Sequence, residues 1–243
     1  MTAHKGSQKQ DSVYRGSARV KRAYKGSTLV YTRKVQTSAS KLFNTAGTFS
    51  FALPAELLSL TVVAVGAGGG GATSTFYHGN KWQGRAGASG AVCRSVFTGQ
   101  AAKNLRGKAL TCTIGASGTA GGGAVSGGPN SSGGRNGGDG GTSTITGDGI
   151  AMSATGGKGG MGGWYNNGHA AAAGTATGGN NLNKSGYAAP YNANNVFAPT
   201  PSAWDDKTTG YGAGGWQEAY DGTIHAGVVG CVYIEYTYLK AVE

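Results

Sequence analysis

Negative charge is scarce in this 243-residue chain: 10 Asp and Glu stand against 21 Lys and Arg, a formal net charge of +11. Proline is scarce too, at 5, and no Gly-X-Y period runs through the whole chain, which excludes collagen. No apolar run approaches the roughly 20 residues that cross a bilayer as a helix, so membrane insertion is not expected. No apolar stretch of signal-peptide type follows the N-terminus, and synthesis without an export signal is the expectation. The three cysteines, Cys93, Cys112 and Cys231, form no CxxC pair, whereas zinc sites need closely spaced ligand pairs. They read as buried free thiols in a protein made in a reducing compartment.

What is abundant is glycine, 48 residues, about threefold its ordinary usage of roughly 7%. Apolar residues still make up 38% of the chain, enough to bury a core in one large β domain or two small ones. The charge is concentrated at one end. Residues 1–41 hold ten Lys and Arg against Asp11 alone, while the remainder is close to neutral. A basic arm on a neutral body binds nucleic acid or docks on an acidic protein surface. Its internal pattern favours docking, and no nucleic-acid partner is expected. His4-Lys5-Gly6-Ser7, Tyr14-Arg15-Gly16-Ser17 and Tyr24-Lys25-Gly26-Ser27 repeat every ten residues, and the last two extend to Val20 and Val30. Each Gly-Ser supplies a turn, and Ala18–Tyr24 and Thr28–Lys34 have strand composition. Residues 1–36 therefore read as a small β-meander with too little core to stand alone. Tyr14, Arg15, Tyr24, Lys25 and Val30 are its candidate docking residues.

Residues 37–243 read as the body. A strand over Phe49, Phe51 and Leu53 closes at Pro54, and Leu57–Val65 is the strongest strand in the chain. Further strands are expected at Ala91–Thr98, Ala109–Ile114, Thr142–Thr146, Ile150–Thr155 and Val228–Tyr238. In the last, Val228, Val232, Ile234, Tyr236 and Tyr238 share a face by period-two counting. No amphipathic helix of ten or more residues is evident. Strands with long turn-rich connections predict an all-β fold, an antiparallel sandwich or jelly roll. Glycine-rich tracts interrupt it at 66–71, 121–141 and 156–163. They are either mobile loops or extended chains stacked side by side, since glycine permits close backbone approach.

Catalytic and cofactor motifs fail on inspection. Gly66 to Gly71 fits G-x-G-x-x-G after a hydrophobic strand, but no helix follows and no Asp or Glu occurs between Glu56 and Asp139. Gly159 stands where a P-loop needs Ser or Thr after Lys158. His78, His169 and His225 lie in scattered loop contexts without a nucleophile elbow, and Asp205-Asp206 reads as a solvated pair. No catalytic residue, cofactor or metal ligand is expected, and the chain does not read as an enzyme. The recognition signal lies in residues 164–220, where Trp164, Tyr165, Trp204 and Trp216 stand among Asn, Gly, Ser and Thr. Aromatics in such company make adaptable contact surfaces, although any one ring can equally cap the sandwich or an oligomer interface.

Tyr24-Lys25-Gly26-Ser27-Thr28-Leu29-Val30-Tyr31 resembles the short N-terminal units of phage tail proteins. The segment from Phe43 to Pro54, followed by Val62 to Gly71, is similar to the opening of their glycine-rich domain. Gly137 to Ser143, Ala154 to Gly160 and the terminal strand fit its later part. The resemblance, over residues 12–160 and 225–238, is to the glycine-rich minor tail proteins of phages, especially those of actinobacterial hosts; residues 164–222 match nothing. It implies a virion protein of the tail tip, made in the host cytoplasm, whose arm docks on the tail hub. It also implies a homo-oligomer, a trimer favoured; the host receptor is not carried over, and it is the Trp and Tyr of residues 164–220, suited to stacking on sugar rings, that suggest a host cell-surface glycan as a further partner. The competing reading is a non-viral glycine-rich binding or surface-coating protein.

Overall fold

The computed structural model describes residues 14–15, 18–20, 22–25, 27–77, 80–82, 84–122, 125–126, 134–162, 171–189, 207–216 and 223–242. The arm supplies β1 (Tyr14–Arg15), β2 (Ala18–Arg19), β3 (Arg22–Lys25) and β4 (Thr28–Thr32). The body opens with β5 (Lys34–Phe43), β6 (Gly47–Ala52) and β7 (Leu57–Val65), then the short β8 (Thr75–Tyr77) and β9 (Asn80–Trp82). After β10 (Val92–Thr98) come helix α1 (Gly99–Asn104), β11 (Ala109–Ile114), β12 (Val125–Ser126), β13 (Ser143–Gly147) and β14 (Ile150–Ala154). The chain ends with β15 (Ala176–Thr177), β16 (Leu182–Lys184) and β17 (Cys231–Ala241).

The fold is an antiparallel all-β sandwich. One sheet has the order β16-β10-β7-β17-β5 and the other β15-β14-β13-β11-β6. Alternation decides what lies between them. Leu60, Val62 and Ala64 of β7, Cys93 of β10, and Val232 and Ile234 of β17 bury against Leu110, Cys112 and Ile114 of β11, Ile145 of β13, and Met152 and Ala154 of β14. The other face of the first sheet is apolar as well. Val63, Val65, Val92, Cys231 and Tyr233 pack there beneath Leu42 and Tyr211. Asn44 Nδ2 donates to the Tyr211 hydroxyl at 2.9 Å, tying that cover down. The consecutive apolar residues Val62–Val65 of β7 thus serve two layers.

Three features differ from the sequence reading. β5 was absent from it, and the strand crosses the boundary placed after residue 36. From Lys34 onward the chain pairs with β17, Lys34 opposite Ala241. The segment expected as one strand at 18–24 is divided between β2 and β3, which pair separately as β1-β2 and β3-β4. Val228 precedes β17 and belongs to the glycine-rich region instead, where its N–H donates to the Ala213 carbonyl at 2.8 Å.

Candidate functional site

At the end of the sandwich where β7 stops and β10 and β17 begin, the glycine tracts continue as a bundle of extended chains. Residues 66–73 form its axis and are buried throughout. Their N–H groups turn to three neighbours in strict rotation. Gly66, Gly69 and Ala72 donate to Ala91, Ala88 and Arg85; Ala67, Gly70 and Thr73 donate to Gly141, Gly138 and Arg135; Gly68 and Gly71 donate to Val228 and His225. All eight bonds measure 2.9 or 3.0 Å. Three further segments donate back to the axis, Gly118 and Gly121 to residues 68 and 71, Gly157 and Gly160 to residues 67 and 70, and Gly215 to residue 69. A partner that recurs every third residue is the signature of a threefold extended helix, which has no internal hydrogen bonds and must satisfy its amides laterally. The axis touches six chains, and at roughly 3.1 Å per residue it is about 25 Å long.

Such packing leaves no room for a side chain at the axis glycines. A Cβ on Gly68 would overlap the Ala213 carbonyl, and one on Gly69 would overlap that of Lys158. The surrounding chains carry the same restriction on one row of their threefold helix. Gly84, Gly87 and Gly90 each face an axis carbonyl, and Gly156, Gly159 and Gly162 face the carbonyls of Gly140, Gly137 and Gly134. These G-x-x-G spacings were the signal available in the sequence. The period is local to each segment and does not run through the chain. The G-x-G-x-x-G match at Gly66–Gly71 is explained by the axis itself. Hydroxyls fix the bundle's ends: Ser143 Oγ accepts from Gly115 N–H at 3.0 Å near the sandwich, and Thr73 Oγ1 donates to the Gly122 carbonyl at 2.8 Å at the far end.

The bundle gives the molecule two poles. Segments 66–73, 116–121, 155–162 and 212–216 run outward, and 85–91, 135–141, 171–175 and 225–230 return to the sandwich. The connections between them therefore leave and re-enter at the far end. The arm joins at the other pole, where Lys34 pairs with Ala241. Of the candidate contact residues, Trp164, Tyr165 and Trp204 lie outside the described residues. Gly162 and Ala171, the described residues that flank the first two, lie at the far pole. Trp216 is there too, half-buried against Ala86, Ala88, Ala171 and Ala189. Its ring stacks on His225 with centroids 4.2 Å apart and planes at 18°. Among the docking candidates, Tyr14 and Arg15 form β1, Tyr24 and Lys25 lie in β3, and Val30 lies in β4. Lys25 is exposed.

Neither a family model nor a curated protein matches the chain. The chemistry of the site therefore rests on its own residues. Among those described, no group of three His, Cys, Asp or Glu is placed to hold a metal ion. Asp205 and Asp206 lie outside them. Cys93, Cys112 and Cys231 are buried free thiols, and burial pushes their pKa values up to about 11, 11 and 12. Such thiols are not nucleophiles at neutral pH. On the bundle's surface, Lys158 Nζ meets Asp139 Oδ2 at 2.6 Å, and Gly159 N–H donates to Asp139 Oδ1 at 3.0 Å. The Lys158 hydrogen bond, then the Gly159 one, hold that carboxyl below its usual pKa. The arrangement is a scaffold braced by backbone hydrogen bonds.

Proposed function

We propose that the protein is a structural component of a phage tail tip, attached by its basic end and presenting the loops of its far end to the host surface. One observation supports the reading: the junction with the basic arm and the outer ends of the glycine-rich segments lie at opposite poles, separated by a sandwich and a bundle braced by backbone hydrogen bonds. A part that must hold a particle at one end and meet a surface at the other needs that separation. The half-buried Trp216 is better suited to closing the bundle than to meeting a ligand, so Trp164, Tyr165 and Trp204 are the stronger contact candidates. Assembly as a homo-oligomer, a trimer favoured, suits a part placed on a particle axis.

The test is removal of residues 1–32, which stops short of β5. The truncated protein should fold with an unchanged melting temperature yet fail to enter virions in a phage that depends on it. Truncated protein found in particles at normal copy number would overturn the attachment half. Normal adsorption by particles carrying Trp164→Ala, Tyr165→Ala and Trp204→Ala together would overturn the presentation half.

A further inference from the structure

The two edges of the sandwich are finished differently. On one side the sheets end in β16 and β15, three and two residues long. There the Asn180 side chain prolongs the ladder of β10, its Oδ1 accepting from Val96 N–H at 2.9 Å and its Nδ2 donating to the Val96 carbonyl at 3.0 Å. Short strands and a side-chain amide that mimics a peptide leave little to pair with. On the other side the first sheet ends in β5, ten residues in unbroken register with β17 and free of proline. Among the described residues no strand pairs with its outer side. Gln36, Ser38 and Ser40 are exposed on one face. At the same edge, Phe43, Phe49, Phe51 and Tyr236 form a partly buried aromatic cluster, with Phe43 and Phe49 stacked at 5.3 Å. A long edge in unbroken register beside apolar rings is a template for an added strand.

Charge selects what is added. No Asp or Glu occurs between Asp11 and Glu56, and Glu56 is already held by Lys34 at 2.5 Å. The same stretch carries Arg15, Arg19, Lys21, Arg22, Lys25, Arg33, Lys34 and Lys41. A second copy pairing here would set this positive segment against its own duplicate, and like charges across paired strands repel. We propose that the free edge of β5 accepts an extended, acidic strand from a different protein. The inference goes beyond the attachment reading by assigning the mode and chemistry of the contact. Its test needs no virus, so either can fail without the other.

The experiment uses full-length protein and fluorescent, end-blocked ten-residue peptides of alternating Thr and Glu, or of Thr and Lys, read by anisotropy at physiological ionic strength. The Glu peptide should bind, the Lys peptide at least about tenfold more weakly, and a Glu peptide with two central prolines not at all. The double variant Gln36→Glu, Ser38→Glu changes only exposed side chains, which lie opposite Leu239 and Thr237, and it should reverse the preference while keeping the melting temperature. Absence of binding up to about 1 mM, equal binding of the two charge types, or tolerance of the prolines would overturn the proposal. So would self-association of the wild type in sedimentation that the double variant abolishes, since a second copy would then be the occupant.

Discussion

Leu60 and Gly68 are both buried, eight residues apart in the chain, and different forces keep them in place. Leu60 is held by what its side chain touches across the sandwich, and its strand needs only two lateral partners. Gly68 has no side chain; it is held by a hydrogen bond from its N–H to Val228 and another from Gly118 to its carbonyl, each 2.9 Å. Side-chain burial tolerates a change of shape because neighbouring side chains shift. Contact between backbones does not, because carbonyls fixed by other hydrogen bonds cannot retreat. The sandwich should therefore degrade gradually under substitution and the bundle abruptly.

The sharpest way to break that contrast is Gly68→Ala. We expect it to cost more than about 3 kcal/mol, above the usual range for overpacking, and to open the bundle alone. Trypsin should then cut rapidly after Arg85 and Lys158 while the Cys112 thiol, buried in the sandwich, resists labelling. Simultaneous exposure of both would mean that the two regions melt as one unit. A middling effect is expected for Leu60→Ala, about 2–5 kcal/mol from lost burial and the cavity left behind. Thermal denaturation should show it as a lowered midpoint with the native hydrogen-exchange pattern of the bundle preserved below the transition. The smallest effect belongs to Asp139. Its folded pKa lies below its unfolded one, so its contribution is fully present above the unfolded value, near 4. It is lost as pH falls through the depressed folded value. Asp139→Asn should lower the neutral plateau slightly and flatten the acid limb, the two curves converging at low pH; a curve that matches the wild type throughout would show the Lys158 pair to be inert.

The sequence made the sandwich legible where alternation was strong and both neighbours were apolar. β7 and β11 begin and end at the residues expected, Leu57–Val65 and Ala109–Ile114. β5 escaped because an edge strand half in solvent needs little hydrophobicity. Val35, Thr37 and Ala39 alternate with Gln36, Ser38 and Ser40, and only the depth of burial separates the two sets. The glycine tracts were open to two readings because their order comes from hydrogen bonds between segments far apart in the chain. Even so, Gly84, Gly87 and Gly90 carried the spacing that decides between them. The far-pole aromatics showed their composition and not their neighbours, which is why the stacking of Trp216 on His225 was invisible.

The threefold geometry of the axis has a consequence for spectroscopy. Extended chains of this type are also a major conformer of unfolded polypeptides, so the bundle contributes coil-like far-ultraviolet circular dichroism although its amides are as fully engaged as those of a sheet. A deconvoluted spectrum would class the most rigidly braced part of this molecule as unstructured, and slow deuterium uptake by residues 66–73 is the property that tells the two apart.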